Sequence, residues 1–330
     1  MKIRPSIPAF FLFALVAPLA FAQKSLSPPA LKPGQTFFYA VHVHSNRNIH
    51  TVSGVSIPQQ PIDGVIDVHG ILRVQVLAPE SSTIPGATRF RTWFLSLASD
   101  VSSRPRGTQP DTFLKGGDRT PAENKFVECT VEPGGQVSRI SGLDQLASEQ
   151  QTAWLEWAAR FSAIYAAQSR SRKRGEKWSS ESAETSPSPI SGLFWQEKSQ
   201  YVHDEPCAPL KFDGGGSSRA TGSAEPCAVL LVSAALLQKS SPQDSTPPDY
   251  KIKGLKTRGS AKGNNETILY LSRKSGLLVR ATQTAKQQMD ATIGLSDGSN
   301  QIHYTISAQA NNSVELLTDL PLVERTGSSK

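Results

Sequence analysis

The chain has 330 residues, of which 38% are hydrophobic and 19% charged, with a formal net charge of +7 at pH 7. A balance this mildly basic fits a dissolved protein with some affinity for anionic surfaces and excludes a committed nucleic-acid binder. Three cysteines imply at most one intramolecular disulfide and one thiol left over.

Residues 1–22 read as a signal peptide. Lys2 and Arg4 form a charged start, "FFLFALVAPLAFA" an apolar core, and Ala20, Phe21 and Ala22 an A-x-A cleavage signature. Cleavage would leave a mature chain starting at Gln23 and lower the net charge of +7 by two, to +5. Pro18 interrupts the apolar run, and no later segment reaches the ~20 residues of a spanning helix. No cysteine near the cleavage point could carry a lipid anchor. The expectation is a diffusing protein of the periplasm or extracellular space, with residues 23–330 as one β-rich domain.

The first two strands come from alternation. In "TFFYAVHVH", Phe37, Tyr39, Val41 and Val43 alternate with Phe38, Ala40, His42 and His44. In "GVIDVHGILRVQVL", Ile66, Val68, Leu72, Val74 and Val76 alternate with Asp67, His69, Arg73 and Gln75. The stretch "HVHSNRNIH" holds three of the chain's six histidines. His42 and His44 share a face, and pairing of these two strands would bring His69 and Asp67 to the same side. Grouped neutral imidazoles bind zinc, and three ligands with an open position make the catalytic form, so His42, His44 and His69 are the metal candidates for a hydrolase. The competing reading is ordinary polar residues on the solvent face of a sheet, with His50 beyond the strand end.

Further strands are expected near 88–98, 125–131 and 136–140, with "EPGG" as a turn at 132–135. Alternation in "KFVECTV" makes Cys129 a buried, unreactive thiol. A helix is expected over 143–168, where Leu143, Leu146, Trp154, Trp157, Ala158, Phe161, Ile164 and Tyr165 fall on one face and Ser141 with Asp144 spells an S-x-x-D capping signature. Trp154, Trp157 and Phe161 would be core if that helix packs on the sheet, or ligand-binding if it lids a cavity.

"RSRKRGEK" carries Arg170, Arg172, Lys173, Arg174 and Lys177 without interleaved aromatic residues, which favours a solvated loop over an anion-binding surface. Mobile insertions are expected near 170–189 and 208–226, from "SSESAETSPSP" and "GGGSSRATGSAE". Strands follow near 190–202 and 227–238. Cys207 and Cys227, in "DEPCAPL" and "AEPCAVL", are the natural disulfide pair. His203, Asp204 and Glu205 are adjacent, point alternately to opposite faces and cannot all converge. "GLKTRGS" mimics a phosphate loop but lacks Lys before the hydroxyl residue, and no G-x-S-x-G elbow occurs.

Residues 264–318 read as an antiparallel meander with turns at "RKSG" and "SDGSN". The strand, short turn ending in Gly, and strand "GLLVRA" resemble the hairpins of LolA-like envelope proteins and related uncharacterised exported bacterial domains. That resemblance implies a curved antiparallel sheet wrapped around helical cover, with an apolar concave surface for lipid or acyl material. The expected fold is thus mainly β (α+β), a curved antiparallel β-sheet of many strands packed on one long amphipathic helix. The expected function is that of an exported non-enzymatic envelope protein binding an apolar ligand or a protein partner, with a metal-dependent hydrolase or a structural scaffold as alternatives and no cofactor expected.

Overall fold

The computed structural model describes residue 26 and residues 29–53, 62–80, 84–105, 114–116, 125–184, 188–211 and 223–318. The expected signal segment 1–22 and the expected start at Gln23 lie outside the described residues, as do 185–187 and 212–222 of the two expected insertions.

Among the described residues the chain is mostly β, as expected, and forms one open antiparallel sheet of twelve strands. In chain order they are β1 (Thr36–Ser53), β2 (Ile62–Val76), β3 (Thr88–Pro105), β4 (Leu114–Gly116), β5 (Val127–Val131), β6 (Val137–Ser141), β7 (Lys177–Ala183), β8 (Leu193–Cys207), β9 (Glu225–Gln238), β10 (Leu255–Ser272), β11 (Leu278–Leu295) and β12 (Ile302–Leu317). Their spatial order is β6-β5-β3-β2-β1-β12-β11-β10-β9-β8-β7, with β4 added to β3. Most sequence neighbours pair antiparallel, β5 pairs with β3 past β4, and the long-range pairing sets β1 against β12.

Two helices accompany the sheet, α1 (Ser148–Gln168) and the short α2 (Pro248–Ile252). No helix among the described residues is long and apolar enough to cross a membrane, a statement about helices alone. The expected start of α1 is corrected. Leu143–Gln145 forms a separate 3-10 turn, Ser141 ends β6, and the helix begins at Ser148. The Gln150 side chain accepts the Ala147 N–H at 3.1 Å, so a glutamine at the third helical position takes the role expected of Asp144, and alanine stands where the capping hydroxyl was expected.

One face of α1 is buried, including Ala153, Trp154, Trp157, Phe161, Ile164 and Tyr165. Phe161 stacks on Trp157 at 5.0 Å between centroids and meets Phe90 of β3 edge-on at 5.2 Å. Tyr39 of β1 lies 6.4 Å from Trp157, and its hydroxyl donates to the Leu278 carbonyl at 3.3 Å. Aromatic rings in these tilted and edge-on arrangements each contribute roughly 2 to 3 kcal/mol on burial.

The helix covers one end of the sheet. The buried core takes residues of β1 up to Val43, of β2 from Val68, of β10 from Leu269 and of β12 at Val314. Beyond these the long strands run on past α1, so the sheet is an open layer rather than a wrap around one helix. Several lengths are also corrected: β1 continues to Ser53, β3 to Pro105, and β10 starts at Leu255 rather than near 264, which makes "GLKTRGS" part of a strand. Part of the first expected insertion is ordered too, because Lys177–Ala183 pairs with β8 as an edge strand.

Candidate functional site

The register between β1 and β2 puts His42 opposite His69 and His44 opposite Asp67. These four residues occupy adjacent positions on the outer face, away from α1, because Tyr39, Val41, Val43, Val68 and Leu72 take the alternate positions into the core. All three histidines turn to the one carboxylate. His44 Nδ1 lies 2.8 Å from Asp67 Oδ2, His69 Nε2 lies 2.6 Å from Oδ1, and His42 Nε2 lies 3.5 Å from Oδ1. The imidazoles of His42 and His69 stack at 3.8 Å between centroids with an interplanar angle of 15°.

The electrostatics follow from that crowding. Burial, reinforced by the nearby His69, holds the His42 imidazole below its ordinary titration range against the opposing pull of Asp67. Burial alone would raise the Asp67 carboxyl, but the hydrogen bond to His44 and the charges of His69 and His42 bring it below its usual range. The crowding therefore favours the ionised carboxylate of Asp67 and the neutral imidazole of His42. Donor atoms of His42, Asp67 and His69 all lie within 4.8 Å of one another, so these three could share one metal ion. His44, expected as a ligand, bonds instead to the far oxygen of Asp67.

One neighbour was not foreseen. Asp100 of β3 is the register partner of Asp67 on its other side. Alternation in "LASDVSS" assigns Asp100 a face, but nothing local fixes which β2 residue it meets.

The other sequence candidates are placed as follows. Trp154, Trp157 and Phe161 have relative exposures of 1%, 0% and 0% and interlock with Tyr39 and Phe90, which makes them core. A cleft of about 120 Å³ does open beside α1, but it is lined by Ala159, Arg160, Ala163 and Ala166 of the helix with Trp178, Leu230, Val232 and Leu269 across from them. His203 meets Glu205 at 2.9 Å, whereas Asp204 accepts the Tyr201 hydroxyl at 2.5 Å, so the adjacent trio does not converge. His303 pairs with Asp290 at 3.0 Å, a contact without a sequence signal.

Cys207 and Cys227 form the disulfide, as expected, joining the ends of β8 and β9. Such bridges belong to oxidising compartments. Cys129 is the free cysteine among the described residues, and burial with the neighbouring Glu128 charge pushes its thiol up to about 12. The basic run is only partly solvated: the Arg172 guanidinium sits 4.6 Å over the Trp178 ring and pairs with Glu176 at 2.6 Å.

No protein-family model matches the chain, and no curated protein does. Among solved structures, similarity extends to lipovitellin at 11% identity and a TM-score of 0.37, over 90% of this chain and 26% of that one. An outer-membrane channel of Pseudomonas putida F1 matches at 11% identity and a TM-score of 0.22, covering 87% of this chain and 97% of that one. OccK7 of Pseudomonas aeruginosa matches at 7% identity and a TM-score of 0.23, over 86% of this chain and the whole of that one. The chain thus spans about a quarter of the lipovitellin chain. Likenesses this distant carry no argument about function.

Proposed function

We propose that the chain is an exported, non-enzymatic envelope protein that holds the acyl part of an apolar ligand between α1 and the β8–β10 part of the sheet. The observation that carries this reading is the cleft beside α1. Its helical wall is alanine at 159, 163 and 166, where larger side chains would have closed the gap against Leu230, Val232 and Leu269. Arg160 and Glu197 add charge to the same lining, which suits a ligand with an apolar tail and a polar head.

At about 120 Å³ the cleft is smaller than the ~300 Å³ at which small-molecule sites begin, so entry of a chain-like ligand requires α1 to shift outward along its alanine side. The aromatic face of α1 then serves as the anchor, and the expected ligand role of Trp154, Trp157 and Phe161 passes to the residues beside them. The A-x-A signature at residues 20–22 and the Cys207–Cys227 bridge support export. The resemblance of the C-terminal hairpins to LolA-like envelope proteins supports the same class of ligand.

Trp178 lines the cleft and supplies the test. Titration of the mature protein with dodecanoate should give a saturable change in tryptophan emission that disappears in Trp178→Phe. Ala163→Leu should fill the cleft and abolish binding measured by calorimetry. If dodecanoate and longer fatty acids give no saturable signal and no heat, the ligand-binding reading is wrong and a scaffold role replaces it.

A further inference from the structure

We propose that His42, Asp67 and His69 form a binding site for a divalent first-row transition-metal ion of the zinc class, on the outer face of the sheet and separate from the cleft beside α1. The donor set of two imidazoles and one carboxylate is that of catalytic zinc and non-haem iron sites, with the remaining coordination positions turned to solvent.

Three features of the site favour an ion over a plain hydrogen-bonded cluster. His42 Nε2 is buried and makes no hydrogen bond, although it lies 3.5 Å from a carboxylate oxygen. A buried ring nitrogen without a partner costs free energy that a metal would recover. The His42 and His69 rings stack at 3.8 Å, which holds the Nε2 atoms of both beside the same oxygen, Asp67 Oδ1. Asp67 faces Asp100 directly across β2 and β3. Like charges so placed destabilise a sheet, and a cation beside Asp67 relieves the repulsion.

Two donor separations and one ring rotation set the change required, since the stacked His42 and His69 rings must turn from near-parallel for both Nε2 lone pairs to meet one ion. A tetrahedral ion with bonds of about 2.0 to 2.1 Å sets its donor atoms roughly 3.3 Å apart. The His42–Asp67 separation of 3.5 Å is already close to that, whereas the His69–Asp67 contact of 2.6 Å must open by well under 1 Å. His69 is the residue free to move, with 62% of its side chain exposed. His44 completes the arrangement as a positioning residue: its Nδ1 holds Asp67 Oδ2 at 2.8 Å and leaves Oδ1 directed at the two ring nitrogens.

The test uses untagged mature protein stripped with chelator and titrated with ZnCl2 by calorimetry, with CoCl2 as a spectroscopic probe. One equivalent of Zn2+ should bind, and Co2+ should give visible absorption of the intensity characteristic of four- or five-coordinate sites. His42→Ala and His69→Ala should each weaken binding by at least about 10-fold, and His44→Ala by about 10-fold or more through Asp67. His203→Ala and His303→Ala should bind as the parent does. Asp67→Asn keeps the side-chain volume, guards against a folding defect checked by circular dichroism, and should also lose the ion. Absence of saturable binding, or parental affinity in His42→Ala and His69→Ala, overturns the proposal. Saturation by Mg2+ or Ca2+ at the same concentrations would do so as well, because two imidazoles are poor ligands for hard cations.

Discussion

Trp154 of α1 donates its indole N–H to the Thr92 hydroxyl of β3 at 2.8 Å, inside the core. Three residues on, Trp157 has an indole nitrogen that is buried and bonds to nothing among the described residues. The two tryptophans are equally buried and only one of them is hydrogen-bonded, which makes their substitutions an informative pair. Trp154→Phe should cost about 2 to 3 kcal/mol, the lost volume plus a Thr92 oxygen left without its donor. Trp157→Phe should cost about 1 kcal/mol, because removing an unsatisfied N–H offsets part of the lost packing. Trp157→Ala should cost about 3 to 5 kcal/mol. Urea unfolding measures all three, and equal costs for the two phenylalanine variants would contradict the assigned hydrogen bond.

Alternation alone put His42, His44, Asp67 and His69 on one face, since period two is a local property of the backbone. Their convergence depended on register, which the β1–β2 connection does not signal through any two-residue turn motif. The long halves of the C-terminal strands were hidden for another reason. In "LKTRGSAKG" the inward positions are Thr257, Gly259, Ala261 and Gly263, small or polar residues, so the apolar contrast that marks a half-buried strand is missing. β7 was hidden because it sits at the sheet edge, with most of its residues exposed, and its "SSES" composition imitates a linker. The helix was legible from its aromatic spacing. Its start was not, because the N-cap is an alanine and a glutamine within the helix takes the part assigned to Asp144.

The Cys207–Cys227 bridge closes a loop with a sequence separation of 20. Replacing both cysteines by alanine should lower stability by about 3 kcal/mol on the chain-entropy estimate. Alkylation of the native, unreduced protein should label no cysteine, and alkylation in denaturant without reduction should label Cys129 alone. Mass spectrometric detection of label on Cys207 would contradict the pairing.

Gly135 ends the turn between β5 and β6 with φ of 86°, and a Cβ built there would lie 2.7 Å from the Ser162 carbonyl oxygen of α1. Both the left-handed backbone and the approach of the helix demand glycine. Gly135→Ala should cost about 2 to 3 kcal/mol, read as a lowered urea midpoint with an unchanged slope. Gly134→Ala is the control, since a Cβ there meets nothing within 4 Å.

Glu315 of β12 has its carboxyl raised above the ordinary range by burial, with the charge of Arg280 opposing the shift. A carboxyl with a raised folded-state pKa is ionised at a cost when the pH is above that value, and the cost vanishes once the group is protonated in both folded and unfolded states. Glu315→Gln should therefore be more stable than the parent at pH 8, with the gain shrinking as pH falls through the folded-state pKa and gone below the ordinary carboxylate range. Urea midpoints across that pH series check the sign. A gain that grows on acidification would contradict it.

Among the described residues the path of the sheet ends in β6 on one side and β7 on the other, and each leaves a row of unpaired backbone groups. Such rows invite self-association, and both are blunted. β6 is five residues long and is interrupted by Arg139, whose φ of 51° breaks the pleat that a second chain would need to extend. β7 is seven residues long, and Lys177 and Glu181 leave charge along its exposed length. Shortness, a kink and charge are the means by which natural sheets avoid joining edge to edge. These two edges are thus guarded against pairing with a second chain, and straightening the β6 edge with Arg139→Val should make aggregation depend on protein concentration.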